Sequence, residues 1–119
     1  MSSVARVCLR NNEGLQSISV FMDGTPDYLG KQLLEMDSKR VKELISVGNI
    51  RALENGQVEH PYNENCLEHN SIDDLINDDT QAYYFYILDE SQWYFKTRNT
   101  KMLILRDWLN SNLNNLADI

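Results

Sequence analysis

Four side chains in this sequence are of the types that a metal centre or a nucleophilic centre needs: Cys8, His60, Cys66 and His69. Cys66-x-x-His69 has a spacing that tetrahedral zinc accepts, and His60 with the distant Cys8 would complete four ligands. Structural zinc motifs normally bring two close pairs, and only one pair is present here. A simply buried thiol at Cys8, with no metal and no cofactor, is therefore the expectation. Cys66 with either histidine also joins a nucleophile to a base. No third group orients that base, however, and neither histidine sits in a recognisable elbow or Gly-rich turn. Gly-rich phosphate cradles are absent, and Asp73-Asp74 and Asp78-Asp79 lack the alternate spacing of an EF-hand loop. No constellation meets the requirements of a catalytic site, and an enzyme is not expected.

The carboxylates carry more information than the nucleophiles. Between Glu54 and Glu90 there are ten acids (Glu54, Glu59, Glu64, Glu68, Asp73, Asp74, Asp78, Asp79, Asp89 and Glu90) and no Lys or Arg. The rest of the chain holds eight acids and eleven bases, so one segment carries all of the net charge of -7. A concentrated negative field repels nucleic acid and draws in basic surfaces. The plain alternative is a solvated loop and helix face that keeps a small protein soluble. Tyr83, Tyr84, Tyr86 and Trp93 have faces on which bases can stack, but no basic residues interleave them, which favours packing in a core or an interface.

The elements that position these groups follow from pattern and punctuation. A chain of 119 residues, 42% hydrophobic and 24% charged, has the size and make-up of one globular domain, 1–119. No stretch approaches the roughly 18 apolar residues of a membrane helix. The opening residues contain no apolar run of signal-peptide length, and two cysteines make no disulfide framework, so a reducing cytoplasm is expected.

Val4 to Leu9 alternates, with Ala5, Val7 and Leu9 on one side and Arg6 and Arg10 on the other, as in a half-buried strand. Asn11-Asn12-Glu13-Gly14 turns it into a second strand, Leu15 to Met22. Thr25-Pro26 starts a helix through Leu29, Leu33, Leu34 and Met36; Gly30 inside it implies a close neighbour. A second helix begins near Asp37 or Ser38, buries Val41, Leu44 and Ile45, and stops at Gly48.

Asn49 to Leu53 reads as one helical turn that tucks in Ile50 and Leu53. Glu54 to Asn70 then reads as a long acidic surface loop, and Ser71 caps a short helix with Ile72, Leu75 and Ile76 facing inward. Asp78 and Asp79 end that helix against its dipole, a cost that points to a use for the charge. Gln81 to Leu88 is the strongest strand, Trp93 to Thr97 pairs back on it, and Thr100 caps a final helix carrying Leu105, Trp108, Leu109, Leu113 and Leu116. The expected fold is α+β: an antiparallel sheet of two hairpins packed against several helices, with the acidic loop and short helix spanning 54–80.

Val20-Phe21-Met22-Asp23-Gly24-Thr25-Pro26, the Gly30 to Glu35 stretch, Val41 to Ile45 with Gly48-Asn49-Ile50, and the tyrosines and Trp-Tyr between Tyr84 and Tyr94 occur in a suggestive order. In that order the chain resembles a group of small proteins encoded by bacteriophages and prophages. The likeness covers roughly the first 53 residues and Tyr83–Phe95 and leaves the acidic middle unmatched. The group's Trp before Asp-Gly is Met22 here and its Tyr after Gly is Thr25, so a ligand site built on those aromatics is lost. The resemblance implies a phage origin and a fold, and no chemistry.

The expected function combines origin and charge: a phage-encoded accessory protein, in the cytoplasm of the infected bacterium, that binds and inhibits a host protein. A defence nuclease complex such as CRISPR-Cas, or the transcription machinery, would offer the basic nucleic-acid-binding surface. Asp73, Asp74, Asp78 and Asp79 would be the central anions, flanked by Glu64, Glu68, Asp89 and Glu90, with Tyr83, Tyr86 and Trp93 as aromatic anchors. The alternative is a small-ligand protein, for example one that binds a nucleotide signal at Asp23-Gly24 and the helix start at Thr25, provided Arg6, Arg10 and Lys31 gather there.

Overall fold

A computed structural model describes residues 3–117 of the chain, with side chains through Ser111. Eight strands form one sheet: β1 (Ala5–Asn11), β2 (Gly14–Val20), β3 (Ile50–Glu54), β4 (Gln57–Pro61), β5 (Leu67–His69), β6 (Tyr84–Asp89), β7 (Gln92–Thr97) and β8 (Leu103–Ile104). Their order across the sheet is β4-β3-β2-β1-β6-β7-β8, with β5 paired to the other end of β2. A π-helical turn, Pro26–Gly30, runs directly into α1 (Lys31–Leu34); α2 (Ser38–Val47), α3 (Ile72–Asp78) and α4 (Leu105–Ala117) follow.

The α+β class is as expected, but the sheet is mixed. The β1–β2 and β6–β7 hairpins are antiparallel, and they join through a parallel β1–β6 pairing in which Ala5 lies opposite Tyr84 and Val7 opposite Tyr86. A second parallel contact ties Val20 to Ile50. Parallel neighbours need a crossover between them, and the intervening helices supply it.

Both faces of the central strands are covered. On one face Val7, Leu9, Ile18, Val20, Tyr86, Leu88, Trp93 and Phe95 pack against Leu29, Leu33, Val41, Leu44, Ile45, Leu105 and Leu109 of the helices. On the other, Cys8, Leu15, Phe85, Ile87 and Ala82 pack under Leu75 of α3. Leu113 and Leu116 lie outside the described side chains. Gly30 has the close neighbours its place in the helix implied: a Cβ there would stand 3.2 Å from Leu105 Cδ1 and 3.4 Å from the Tyr86 ring.

The 49–70 stretch departs from expectation. Ile50–Glu54 is a strand, not a helical turn, although Ile50 and Leu53 are buried as anticipated. The acidic stretch after it is not one long loop, and only 62–66 is irregular. Asn55 and Gly56, both at positive φ, make a two-residue hairpin into β4, and β5 then returns to pair with β2.

Gly48 makes this route possible. It stops α2 at φ +87° and ψ -161°, a region open to glycine. Beside it the Asn49 N–H donates to Glu64 O, the Asn49 carbonyl accepts from the Tyr62 N–H, and the Asn49 side-chain oxygen accepts from the Ser19 N–H. A Cβ on Gly48 would lie 1.9 Å from Glu64 O. Gly48→Ala is therefore expected to cost on the order of 3 kcal/mol of unfolding free energy in urea titration. Gly56→Ala, with φ +77° but open space around it, should cost about 1 kcal/mol. Equal losses at the two glycines would contradict this account of the 48–64 junction.

Candidate functional site

Alternation puts Arg6 of β1 on the same face as Ser17 and Ser19 of β2, and Arg6 lies directly opposite Ser19 in the ladder. That face is covered by α3, with His69 of the neighbouring β5 beside it, so the guanidinium is enclosed, with only 5% of its side chain exposed. A buried cation needs a counter-charge and full hydrogen bonding. Arg6 Nε donates to Asp79 Oδ2 at 2.7 Å, Nη1 to Ser17 Oγ at 2.7 Å and Nη2 to Ser19 Oγ at 2.8 Å. The other Asp79 oxygen accepts from the Gln81 and Ala82 N–H groups at 2.8 and 2.9 Å. Burial pushes the Asp79 carboxyl up, but the Arg6 hydrogen bond, the two backbone donors and the Arg6 charge outweigh it and hold the group below the ordinary carboxylate range.

The network continues outward. Ser17 Oγ lies 2.7 Å from His69 Nε2, and His69 Nδ1 lies 2.8 Å from Asp78 Oδ2. Serine, imidazole and carboxylate thus stand in the connectivity of a hydrolytic triad. The chemistry of a nucleophile is nevertheless closed off: Ser17 is fully buried, and its oxygen already accepts the Arg6 N–H. What the arrangement does is pin β1, β2, β5 and the end of α3 to one another. A polar recess of about 340 Å³ beside it is lined by Glu13, Gln16, Glu68 and His69 but not by Ser17, and the His69 side chain itself is enclosed.

Arg98, which the sequence did not single out, completes the region. From the end of β7 it donates to Ala82 O and to the carbonyls of Ile76 and Asp79. A guanidinium thereby meets the carbonyl end of α3, where a cation suits the dipole. The apparent misplacement of Asp78 and Asp79 is resolved inside the protein, through His69, Arg6 and Arg98.

The proposed binding residues separate accordingly. Asp79 is buried in the Arg6 ion pair and offers no surface charge. Tyr86 is buried too, its hydroxyl donating to Gly24 O at 2.6 Å; Trp93 is buried opposite Leu88. None of these three is open to a partner in this fold: Asp79 is enclosed at the end of α3, and Tyr86 and Trp93 lie on a sheet face covered by helices. Glu64, Glu68, Asp73, Asp78, Glu90 and Tyr83 are exposed, and Asp74 and Asp89 half-buried. Asp89 meets Arg10 at 3.4 Å, and Asp78 meets His69.

The residues weighed for other chemistry do not converge. His69 uses both ring nitrogens in the network, His60 is exposed on β4, and burial pushes the Cys8 thiol up to about 12. Among the described residues no group of three or more His, Cys, Asp or Glu side chains is placed to hold a metal. Of the cations a nucleotide site would need, Arg6 is sealed in the sheet, Arg10 pairs with Asp89, and Lys31 stands on α1 across the sheet from them. At the helix start, the Gly24 N–H already donates to Ser3 O and the Gly24 carbonyl accepts from the Tyr86 hydroxyl.

Comparison with family models, curated proteins and solved structures finds no match for this chain.

The depressed Asp79 carboxyl contributes stability above the ordinary carboxylate pKa of about 4, and that contribution disappears as pH falls through the lower, folded value. Asp79→Asn is therefore expected to lower unfolding free energy by about 2 kcal/mol at pH 7, with the gap to wild type narrowing as pH falls below about 4. Arg6→Met, which strands the carboxylate, should cost about 3–5 kcal/mol at pH 7. Urea titrations at several pH values check both, and a gap for Asp79→Asn that stays constant with pH would refute the linkage.

Proposed function

We propose that this chain is a phage-encoded accessory protein that binds and inhibits a bacterial host protein through an acidic surface imitating nucleic-acid phosphates. A defence nuclease complex such as CRISPR-Cas, or the transcription machinery, offers the basic groove such a surface fits. One observation carries the reading. Glu54 ends β3, Glu59 lies on β4, Glu68 on β5 and Asp73 and Asp74 on α3, with Glu64 and Glu90 in connecting segments, and none of the seven forms an ion pair among the described residues. Carboxylates needed by the fold are paired, whereas these remain directed to solvent or half-exposed.

Fixed anions on strands and a helix suit recognition better than the same charges on a flexible loop, because less ordering entropy is lost on binding. Further acidity gathers where Glu54, Asp23 and Glu59 surround Tyr28; partial desolvation first, then those three carboxylates, push its phenol up. Exposed Tyr83, Tyr62 and Tyr28 supply aromatic contact in place of the buried Tyr86 and Trp93. No helix of the described residues is long and apolar enough to cross a membrane.

The test is affinity capture of the tagged protein from lysates of bacteria carrying defence systems, at low and high salt, with mass spectrometry of what is held. A nucleic-acid-binding protein retained at low salt and released at high salt is the expected result. The variant Glu59→Gln, Glu64→Gln, Glu68→Gln, Asp73→Asn keeps the fold's own ion pairs and should associate with that protein at least tenfold more slowly. Capture with unchanged rate and salt dependence in this variant would remove the electrostatic basis of the proposal.

A further inference from the structure

The turn between β3 and β4, Asn55-Gly56, is the one place in the chain where asparagine precedes glycine. Such a pair carries its own chemistry. The nitrogen of the following peptide can close a five-membered ring on the asparagine amide carbon, and glycine has no Cβ to hinder the approach. Every other asparagine in the sequence is followed by a residue that has one. Asn55 is exposed, and a Cβ built on Gly56 would meet no atom within 4 Å, so water reaches the pair. With Lys31, Gln32, Met36 and Arg40, the turn borders an open recess of about 540 Å³.

The Gly56 nitrogen is nevertheless engaged. Its N–H donates to Gln32 Oε1 at 2.9 Å, while Gln32 Nε2 donates to the Leu53 carbonyl at 2.9 Å. One side chain from α1 thus spans the turn, meeting β3 on one side and the Gly56 peptide on the other. Arg40 of α2 adds a hydrogen bond from Nη2 to the Gly56 carbonyl at 2.8 Å. Asn-Gly closes a hairpin without outside help, and what the Gln32 acceptor adds is a constraint on the nitrogen itself.

We propose that Asn55 is a site of spontaneous deamidation whose rate is held down by Gln32. Hydroxide takes the Gly56 amide proton, the nitrogen forms a bond to Asn55 Cγ, and the Cγ–Nδ2 bond breaks. Ammonia leaves with a proton from water, which restores the hydroxide and closes a succinimide. Water then opens either ring carbonyl, giving aspartate or isoaspartate; nothing is oxidised or reduced. While Gln32 Oε1 holds the Gly56 proton, both its removal and the approach of the nitrogen to Cγ are opposed. Opening of that one contact exposes the nucleophile without unfolding the sheet. The product adds an anion beside Glu54, and isoaspartate also lengthens the backbone of a two-residue turn, which breaks the Glu54–Gln57 register.

The test incubates the full chain in mildly alkaline buffer and follows the gain of mass and the isoaspartate content at Asn55. Cleavage after glutamate isolates residues 55–59, in which Asn55 is the one asparagine. The folded wild type is expected to react roughly tenfold more slowly than the chain in urea. Gln32→Leu, which removes both contacts, should react about fivefold faster than wild type and lose hydrogen-exchange protection at the Gly56 amide. Gln32→Glu keeps an acceptor for that N–H and should stay close to the wild-type rate. Asp79→Asn, which weakens the fold elsewhere, should leave the rate unchanged. Equal rates for folded and urea-treated wild type, or for Gln32→Leu and wild type, overturn the proposal. So does equal acceleration by Gln32→Glu, or by Asp79→Asn, since the first would remove the acceptor's role and the second would route the reaction through global unfolding.

Discussion

The ion pair between Arg6 and Asp79 is the interaction around which one side of this protein is organised. Arg6 stands on the central strand, at a position whose alternation would ordinarily face water. Covering that face with α3 removes the guanidinium from solvent, a loss that only a set of well-placed acceptors offsets. Asp79, Ser17 and Ser19 are those acceptors, and they come from the end of α3 and from the neighbouring strand. The pair thereby specifies where α3 ends and which residues of β2 lie beneath it. A packed apolar layer would leave the helix freer to slide; a guanidinium with three directional donors does not.

The same constraint sorts the acidic residues. Two carboxylates at the carbonyl end of α3 look unfavourable in isolation, since they oppose the helix dipole. In the folded chain Asp79 meets Arg6, Asp78 meets His69, and Arg98 takes up the carbonyls of Ile76 and Asp79. Asp79 is enclosed with Arg6 and adds little to the outer field, while Asp78 stays exposed beside His69. What remains, on β4, β5 and the exposed side of α3, is a surface negative potential that no structural partner accounts for. The distinction matters more for recognition than the total of -7, because only the unpaired part acts at a distance.

Legibility in the sequence follows the range of the interactions involved. The β1–β2 and β6–β7 hairpins, α2 with its Gly48 stop and the Ser71 cap of α3 are local, and alternation, turn residues and capping identify them. In Asn49-Ile50-Arg51-Ala52-Leu53 the three-residue spacing of Ile50 and Leu53 suits one helical turn that tucks both inward. The strand form is imposed by pairing with β2 and β4, a tertiary override of local preference. β4 and β5 escape an alternation search because they are short, polar and solvent-facing; the Asn55-Gly56 pair between β3 and β4 was the one available sign of a hairpin. The parallel β1–β6 pairing joins residues about eighty positions apart and leaves no local signature.

The candidate site was legible as charge but not as geometry. Counting acids locates the negative segment, yet it treats Asp73 and Asp79 alike, and the structure places one in solvent and the other against a buried arginine. Likewise, aromatic density in Tyr83 to Trp93 marks a strand pair without saying which rings are enclosed. Tyr86 and Trp93 share a face with Val7 and Leu9 and pack beneath the helices, while Tyr83 precedes the strand and stays open. A residue becomes available for binding only when the fold leaves it unused, and use is settled by partners distant in the chain. Among the described residues, the exposed carboxylates between Glu54 and Glu90 and the open Met102, Leu103 and Ile104 are what this fold leaves unused.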